Sequence, residues 1–149
     1  MLLELLNNHV LGAGLLAWWL AQILKPFTNY PEEHSWKWGL WFSSGGMPSS
    51  HSSLITAVTL STGFQAGFDS PTFALAFAIS MVVIYDAAGV RREAGLHAEK
   101  LNLLINEFFS GRPLDEKVLK EVIGHTPRQV IVGVFLGLFV AIFLHLVWH

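Results

Sequence analysis

Two histidines, His51 and His125, stand in sequence settings that suit chemistry on a phosphate group. The first lies within residues 43–53, a stretch of glycines, serines and one proline that directly precedes a long apolar run. We expect Pro48 in the first turn of a helix, where the amide that proline lacks would have no helical partner. The following amides and the helix dipole would then form an anion site beside His51. The simpler interpretation is a Gly/Ser loop with a capping serine.

The second histidine repeats this arrangement. Thr126 is the expected N-cap and Pro127 the expected first residue of a later apolar helix, so His125 also stands at a positive helix end. Two histidines at such ends, facing one compartment, can divide the roles of nucleophile and proton donor. The alternative is a chance placement of two loop histidines.

Four further residues carry charge beside apolar segments. Lys25 ends the first segment, one helical turn after Gln22. It either offsets the negative charge of a bound phosphate or extends its side chain to the membrane interface. Asp86 ends the third segment and is costly there unless it is paired or functional. Because Asp86 and Arg91 lie five apart, a helical turn would bring them near each other. Arg91 and Arg92 either bind phosphate through paired hydrogen bonds or anchor the chain at the membrane.

The composition predicts a membrane protein with a single domain over residues 1–149. Apolar residues make up 52% of the chain and charged residues 13%, and the absence of cysteine excludes disulfides and thiolate metal sites. We expect an all-α integral membrane bundle of about four transmembrane helices. The first and third segments must tilt or borrow flanking residues, because spanning needs about 20 residues. The segments free of Lys and Arg are Val10–Leu24, Ser52–Phe68, Pro71–Ile84 and Val130–Val147.

The two large loops between these segments hold all nine Lys and Arg residues, which places both loops in the cytoplasm by the positive-inside rule. Apolar residues recur at helical spacing from Glu93 to Phe109, which predicts an amphipathic helix on the membrane or against the bundle. A second short cytoplasmic helix is expected over Leu114–Ile123. No basic run interleaved with aromatics points to nucleic acid. The Gly133/Gly137 pair permits close packing within the bundle or in a homodimer.

Two strings carry a family resemblance. Pro48-Ser49-Ser50-His51 resembles the P-S-G-H motif of the type 2 phosphatidic acid phosphatase and vanadium haloperoxidase superfamily. The stretch from His125 to Gly133 resembles the segment that holds that superfamily's nucleophilic histidine. With G-G-M-P-S-S-H and Y-D-A-A-G-V-R-R-E-A-G, the chain is similar to a small divergent branch of that superfamily through most of its length.

The resemblance implies a division of labour without a metal or other cofactor. His125 would attack phosphorus and carry a phosphohistidine, while His51 would protonate the leaving oxygen and later help to activate water. The implied phosphate-binding groups are Ser49, Ser50, the Gly46 backbone and Lys25.

Four positions depart from the superfamily's pattern: Glu32 and Leu119 replace arginines, Ser50 replaces a glycine, and Gln129 replaces the aspartate that orients the nucleophile. Gln129 can hydrogen-bond His125 but cannot stabilise an imidazolium by charge. Arg91 or Arg92 is the expected substitute for the missing arginines, and Asp86 for the missing acid.

The leading hypothesis is therefore a lipid phosphate monoesterase at the cytoplasmic leaflet, acting on a substrate such as phosphatidylglycerophosphate or phosphatidic acid. One alternative is a membrane protein that binds lipid headgroups or scaffolds a partner without catalysis. Another is a metal hydrolase, in which Glu93 and His97, one helical turn apart, share ligation. Its other ligands would be His51, His125 and Asp86.

Overall fold

A computed structural model describes residues 4, 7–33, 41, 45–108 and 125–148, and every regular element within these ranges is helical. The helices are α1 (His9–Glu33), α2 (Ser50–Ala66), α3 (Pro71–Ala88), α4 (Val90–Phe108) and α5 (Pro127–Trp148). The predicted all-α fold is confirmed. The short helix expected over Leu114–Ile123 lies outside the described residues.

Three helices are long and apolar enough to cross a membrane: α1 over His9–Thr28, α3 and α5. The membrane bundle is thereby confirmed, although length and composition support three spans where the sequence suggested about four. The helix that falls short is α2, whose 17 residues cover about 25 Å, less than the roughly 30 Å of a bilayer's hydrocarbon core. In contrast, α1 runs past its expected end at Leu24 to Glu33.

The short helix α2 is the centre of the bundle and packs against α1, α3 and α5. Three hydrogen bonds fix its direction relative to these neighbours. The Ser53 hydroxyl donates to Ala17 O (3.1 Å), the Thr59 hydroxyl to Ala76 O (3.2 Å), and Ser49 N–H to Gln129 O (3.0 Å). The start of α2 therefore meets the start of α5 and the middle of α1.

Two glycines allow α5 to approach α2 closely. A Cβ atom added at Gly133 would lie 2.5 Å from Ser49 O, and one added at Gly137 would lie 2.4 Å from Ser53 O. Both distances are far inside van der Waals contact, so any larger residue would force the helices apart. The G-x-x-x-G spacing thus serves packing within the bundle, as is common between membrane helices.

The predicted amphipathic helix is confirmed as α4, and Gly89 separates it from α3. This break makes one expectation wrong: Asp86 and Arg91 do not share a helical turn, because they belong to different helices. On α4 the apolar residues Leu101, Leu104 and Phe108 are exposed, whereas Asn102 is buried. The apolar face of α4 therefore points away from the bundle.

Candidate functional site

The N-terminus of α2 is capped by Ser49, whose Oγ accepts hydrogen bonds from the backbone N–H of Ser52 (3.4 Å) and from its hydroxyl (3.1 Å). Pro48 follows a cis peptide bond and precedes this cap. Since the helix begins at Ser50, the expectation that Pro48 occupies its first turn is wrong. The helix begins later because the extended backbone and side chain of Ser49 supply the cap. His51 does lie in the first turn, where backbone amides have no carbonyl partner within the helix.

The N-terminus of α5 carries a reciprocal capping box. Thr126 Oγ1 accepts from Gln129 N–H (3.4 Å), and Gln129 Oε1 accepts from Thr126 N–H (3.1 Å). The helix begins at Pro127, so the predicted cap and first residue are both confirmed.

The same glutamine holds His125. Gln129 Oε1 lies 3.2 Å from His125 Nδ1. Because the Thr126 amide can only donate, the side-chain atom that faces it is the oxygen, and an oxygen acceptor requires a proton on Nδ1. In the neutral ring the lone pair is then on Nε2, and an imidazole nitrogen that carries a lone pair can act as a base or a nucleophile. His125 is only 3% exposed, and its Nε2 is buried.

The two histidines face each other where α2 and α5 begin. The ring centroids of His51 and His125 are 6.3 Å apart, with the rings inclined at 60°. The hydrogen bond from Ser49 N–H to Gln129 O joins the two helix starts directly. Both positive helix ends therefore converge on the space beside the two rings.

The second half of α1 brings a lysine to this end of the bundle. Lys25 is fully buried, and its side-chain stem runs 3.5 Å from the position that a Cβ of Gly46 would occupy. Gly46 has a φ of +90°, a conformation that favours glycine. The Thr28 hydroxyl bonds to Met47 O and so ties α1 to the loop before α2. Lys25 and the two helix starts all contribute positive potential, which suits a multiply charged anion.

The sequence did not single out Thr28. The sequence shows only that a residue with a hydroxyl follows Lys25 by three positions. In the structure the Thr28 hydroxyl also bonds to the Lys25 carbonyl (3.1 Å). Ser49 and Ser50, both predicted phosphate ligands, are buried at the start of α2. The Oγ of Ser49 already accepts two hydrogen bonds as the helix cap, so only its own proton remains for an anion.

Asp86 lines a cavity of about 420 Å³ together with Met81, Val82 and Tyr85 of α3, and its proposed place beside the histidines stays a prediction. Arg91 and Arg92 lie in the first turn of α4, and their side chains are outside the described residues.

The described part of the chain contains no cluster of side chains suited to metal binding. Within these ranges no three histidine or carboxylate side chains are grouped closely enough to hold an ion, and His97 is exposed on α4.

Together, the fold and this end of the bundle define a helical membrane protein with a histidine pair at two adjoining helix N-termini. The chain matches the Divergent PAP2 family over residues 6–140 and belongs to it, which confirms the resemblance of its motifs. It is 35% identical over 153 residues to a Bacillus subtilis (strain 168) protein named "Uncharacterized membrane protein YuiD", across 95% of this chain and 97% of that protein. No solved structure matches the chain.

Proposed function

We propose that this protein is a metal-independent phosphatase that hydrolyses a lipid phosphomonoester through a phosphohistidine on His125. The observation that carries the proposal is the hydrogen bond between His125 Nδ1 and Gln129 Oε1, because a proton on Nδ1 leaves the lone pair of the neutral ring on Nε2. His51, at 6.3 Å between ring centroids, is near enough to act on the same phosphate group.

The reaction divides into two steps. In the first, Nε2 of His125 attacks phosphorus, the bond from phosphorus to the lipid oxygen breaks, and that oxygen takes a proton from His51. In the second, His51 removes a proton from water and the water oxygen attacks phosphorus. The bond between phosphorus and Nε2 breaks, its electron pair returns to Nε2, and His125 is again neutral as inorganic phosphate leaves. Throughout, Gln129 accepts from Nδ1–H and keeps the ring in one orientation.

The phosphate charge would be offset by Lys25, the first-turn amides of α2 and the backbone around Gly46. These groups are fixed by burial and by the Thr28 bond to the loop, and fixed donors stabilise a developing charge without reorganisation. Because Nε2 of His125 is buried, the site is closed in this structure. A phosphate reaches it only after a neighbouring group moves aside.

The site end of the bundle is proposed to face the cytoplasm. All nine Lys and Arg residues lie in two stretches of the sequence, positions 25–37 and 91–128, and the positive-inside rule orients such basic stretches inward. A phosphomonoester such as phosphatidylglycerophosphate or phosphatidic acid in the inner leaflet is then the expected substrate.

A second candidate is a membrane protein that binds a lipid phosphate without hydrolysing it. The neutral Gln129 favours it, because an amide cannot stabilise the imidazolium that forms during phosphoryl transfer as a carboxylate would. Both candidates use the same cationic end of the bundle, and they differ only in turnover.

Phosphate release separates the two candidates. The purified protein in detergent is supplied with a panel of lipid phosphates, with and without EDTA, beside the His125→Gln variant. Release that survives EDTA and disappears in the variant supports the phosphatase. Binding without release by the unchanged protein favours the second candidate, and release that EDTA abolishes and one divalent ion restores contradicts the metal-independent mechanism.

A further inference from the structure

An aromatic groove opens on the outer face of α1, close to the site. It has a volume of about 440 Å³, within the range of roughly 300–1,000 Å³ that is typical of small-molecule pockets. Trp41, from the segment before α2, closes one side. The remaining lining residues come from α1 and are Trp18, Trp19, Gln22 and Ile23.

Part of the groove lies on the same face of α1 as Lys25. Trp18, Gln22 and Lys25 follow the spacing i, i+4, i+7 and therefore share one face of α1. Lys25 lies one helical turn beyond Gln22, a rise of about 5 Å. Gln22 lines the groove while its Oε1 is buried, so this side chain stands between the groove and the interior that holds Lys25.

The lining indicates what occupies the groove. Three indole rings provide a large apolar surface with polar N–H tips, which is the chemistry of the zone between lipid tails and headgroups. A phosphate held at Lys25 would leave its apolar tail next to Trp18 and Trp19. The cavity beside Asp86 has a similar size, but its carboxylate would repel a phosphate.

We propose that the groove holds the acyl chain of the substrate while Lys25 holds its phosphate. This inference rests on the proposed function and deepens it, because it locates the part of the protein that would select lipid-anchored phosphomonoesters over soluble phosphate esters. The chain in the groove orients the phosphate toward His125, so a long-chain substrate gains both affinity and rate over a short-chain one.

Photolabelling locates the chain directly. A lipid phosphate with a diazirine near the end of one acyl chain is activated in micelles of the unchanged full chain, and the labelled peptides are mapped by mass spectrometry. The expected label falls on residues 18–23 and on Trp41, and unlabelled lipid phosphate competes for it better than diacylglycerol does. Label spread over the exposed faces of α3 and α5 would show ordinary solvating lipid and overturn the inference.

A matched pair of substitutions provides the kinetic test. Ile23→Trp fills the groove, whereas Leu15→Trp places the same bulk on an exposed site of α1 outside it. We expect Ile23→Trp to raise KM for a long-chain lipid phosphate at least about tenfold, the lower end of the cost of a misfit in an apolar pocket. Relative to hydrolysis of p-nitrophenyl phosphate, hydrolysis of the lipid substrate should fall in Ile23→Trp, whereas in Leu15→Trp this ratio should match that of the unchanged protein. Equal effects of the two variants on the lipid substrate contradict the proposal.

The groove and the catalytic proposal can fail separately. If no substrate releases phosphate but labelling of the groove is still displaced by lipid phosphate, the groove stands as a binding site and the phosphatase proposal fails. If soluble and lipid substrates are hydrolysed equally well and the label is spread, the phosphatase stands and the groove proposal fails.

Discussion

The two helix N-termini that carry the histidines are built differently. At the start of α2, Ser49 caps the helix and His51 follows the cap by two residues, partly exposed. At the start of α5, His125 precedes the cap Thr126 and is buried. Gln129 serves both as a member of the capping box and as the partner of the His125 ring.

The difference follows from one residue in each motif. Three residues after the cap, α2 has Ser52 and α5 has Gln129. The short serine reaches only the Oγ of Ser49, whereas the longer glutamine reaches back to the Thr126 amide and to His125. A histidine locked in one tautomer suits a nucleophile, and one that is less enclosed suits proton transfer to and from substrate and water. The comparison therefore supports the proposal of His125 as the nucleophile and His51 as the proton donor.

Loss of His125, the histidine whose ring Gln129 orients, should have the largest effect on phosphate release. We expect His125→Ala to reduce phosphate release to background, a loss on the order of 10⁶-fold, as when a covalent nucleophile is deleted from other enzymes. The variant should also yield no acid-labile phosphoenzyme when the reaction is quenched with labelled substrate. His97→Ala, at an exposed histidine of α4, is the control and should remain active. Full activity in His125→Ala would refute the mechanism.

Loss of the second histidine should cost less and should depend on the substrate. His51→Ala removes the proposed proton donor, whose contribution is typically about 10²–10⁴-fold. With p-nitrophenyl phosphate the leaving oxygen needs little protonation, so the first step should be less impaired and the phosphohistidine should accumulate. Burst kinetics on the two substrate types measure this. An equal loss for good and poor leaving groups would mean that His51 binds phosphate and does not donate a proton.

The capping residues illustrate how much of the site was predictable. The Thr126-Pro127 start of α5 was predicted correctly, because a hydroxyl cap followed by proline is a local signal. The placement of Pro48 was wrong, because either proline or serine can begin a helix and the choice depended on the backbone around Ser49. The amphipathic period of α4 was sufficient to predict that helix, but not the break at Gly89 that separates Asp86 from Arg91.

Contacts between distant segments were less accessible to sequence reasoning. Lys25 was expected either at a phosphate or in a snorkelling position, and only the packing of α1 against the Gly46 loop shows that it is buried. Thr28 and the indole groove depend on the same packing, since Thr28 joins α1 to Met47 and the groove joins α1 to Trp41. Such contacts are set by the tertiary arrangement and leave no periodic pattern in the sequence.

Changes at Gln129 test whether its amide holds the nucleophile. Gln129→Leu removes a hydrogen bond to a ring that becomes charged during the reaction, a loss of about 1.5–3 kcal/mol. We expect kcat to fall about tenfold to hundredfold accordingly. Gln129→Glu keeps the acceptor and adds the charge that offsets an imidazolium, so it should match or exceed the unchanged protein. If both variants lose activity equally, Gln129 serves the helix cap alone.

The smallest effect is expected from the two caps themselves, and it should fall unequally. Ser49→Ala removes the acceptor for both the amide and the buried hydroxyl of Ser52. Loss of a cap usually lowers the free energy of unfolding by about 0.5–2 kcal/mol, and the buried Ser52 hydroxyl left without this acceptor adds to that loss. Thr126→Ala removes only the acceptor for Gln129 N–H. It retains the Thr126 amide that orients Gln129 Oε1, so His125 stays in place.

Thermal unfolding in detergent should therefore show a larger loss of stability for Ser49→Ala than for Thr126→Ala. Phosphate release by Thr126→Ala should stay close to that of the unchanged protein, because the acceptor for His125 Nδ1 survives. A Thr126→Ala variant that is equally destabilised, or that loses activity as Gln129→Leu does, would mean that the threonine hydroxyl itself holds the glutamine. The two helix starts would then differ less than their hydrogen bonds indicate.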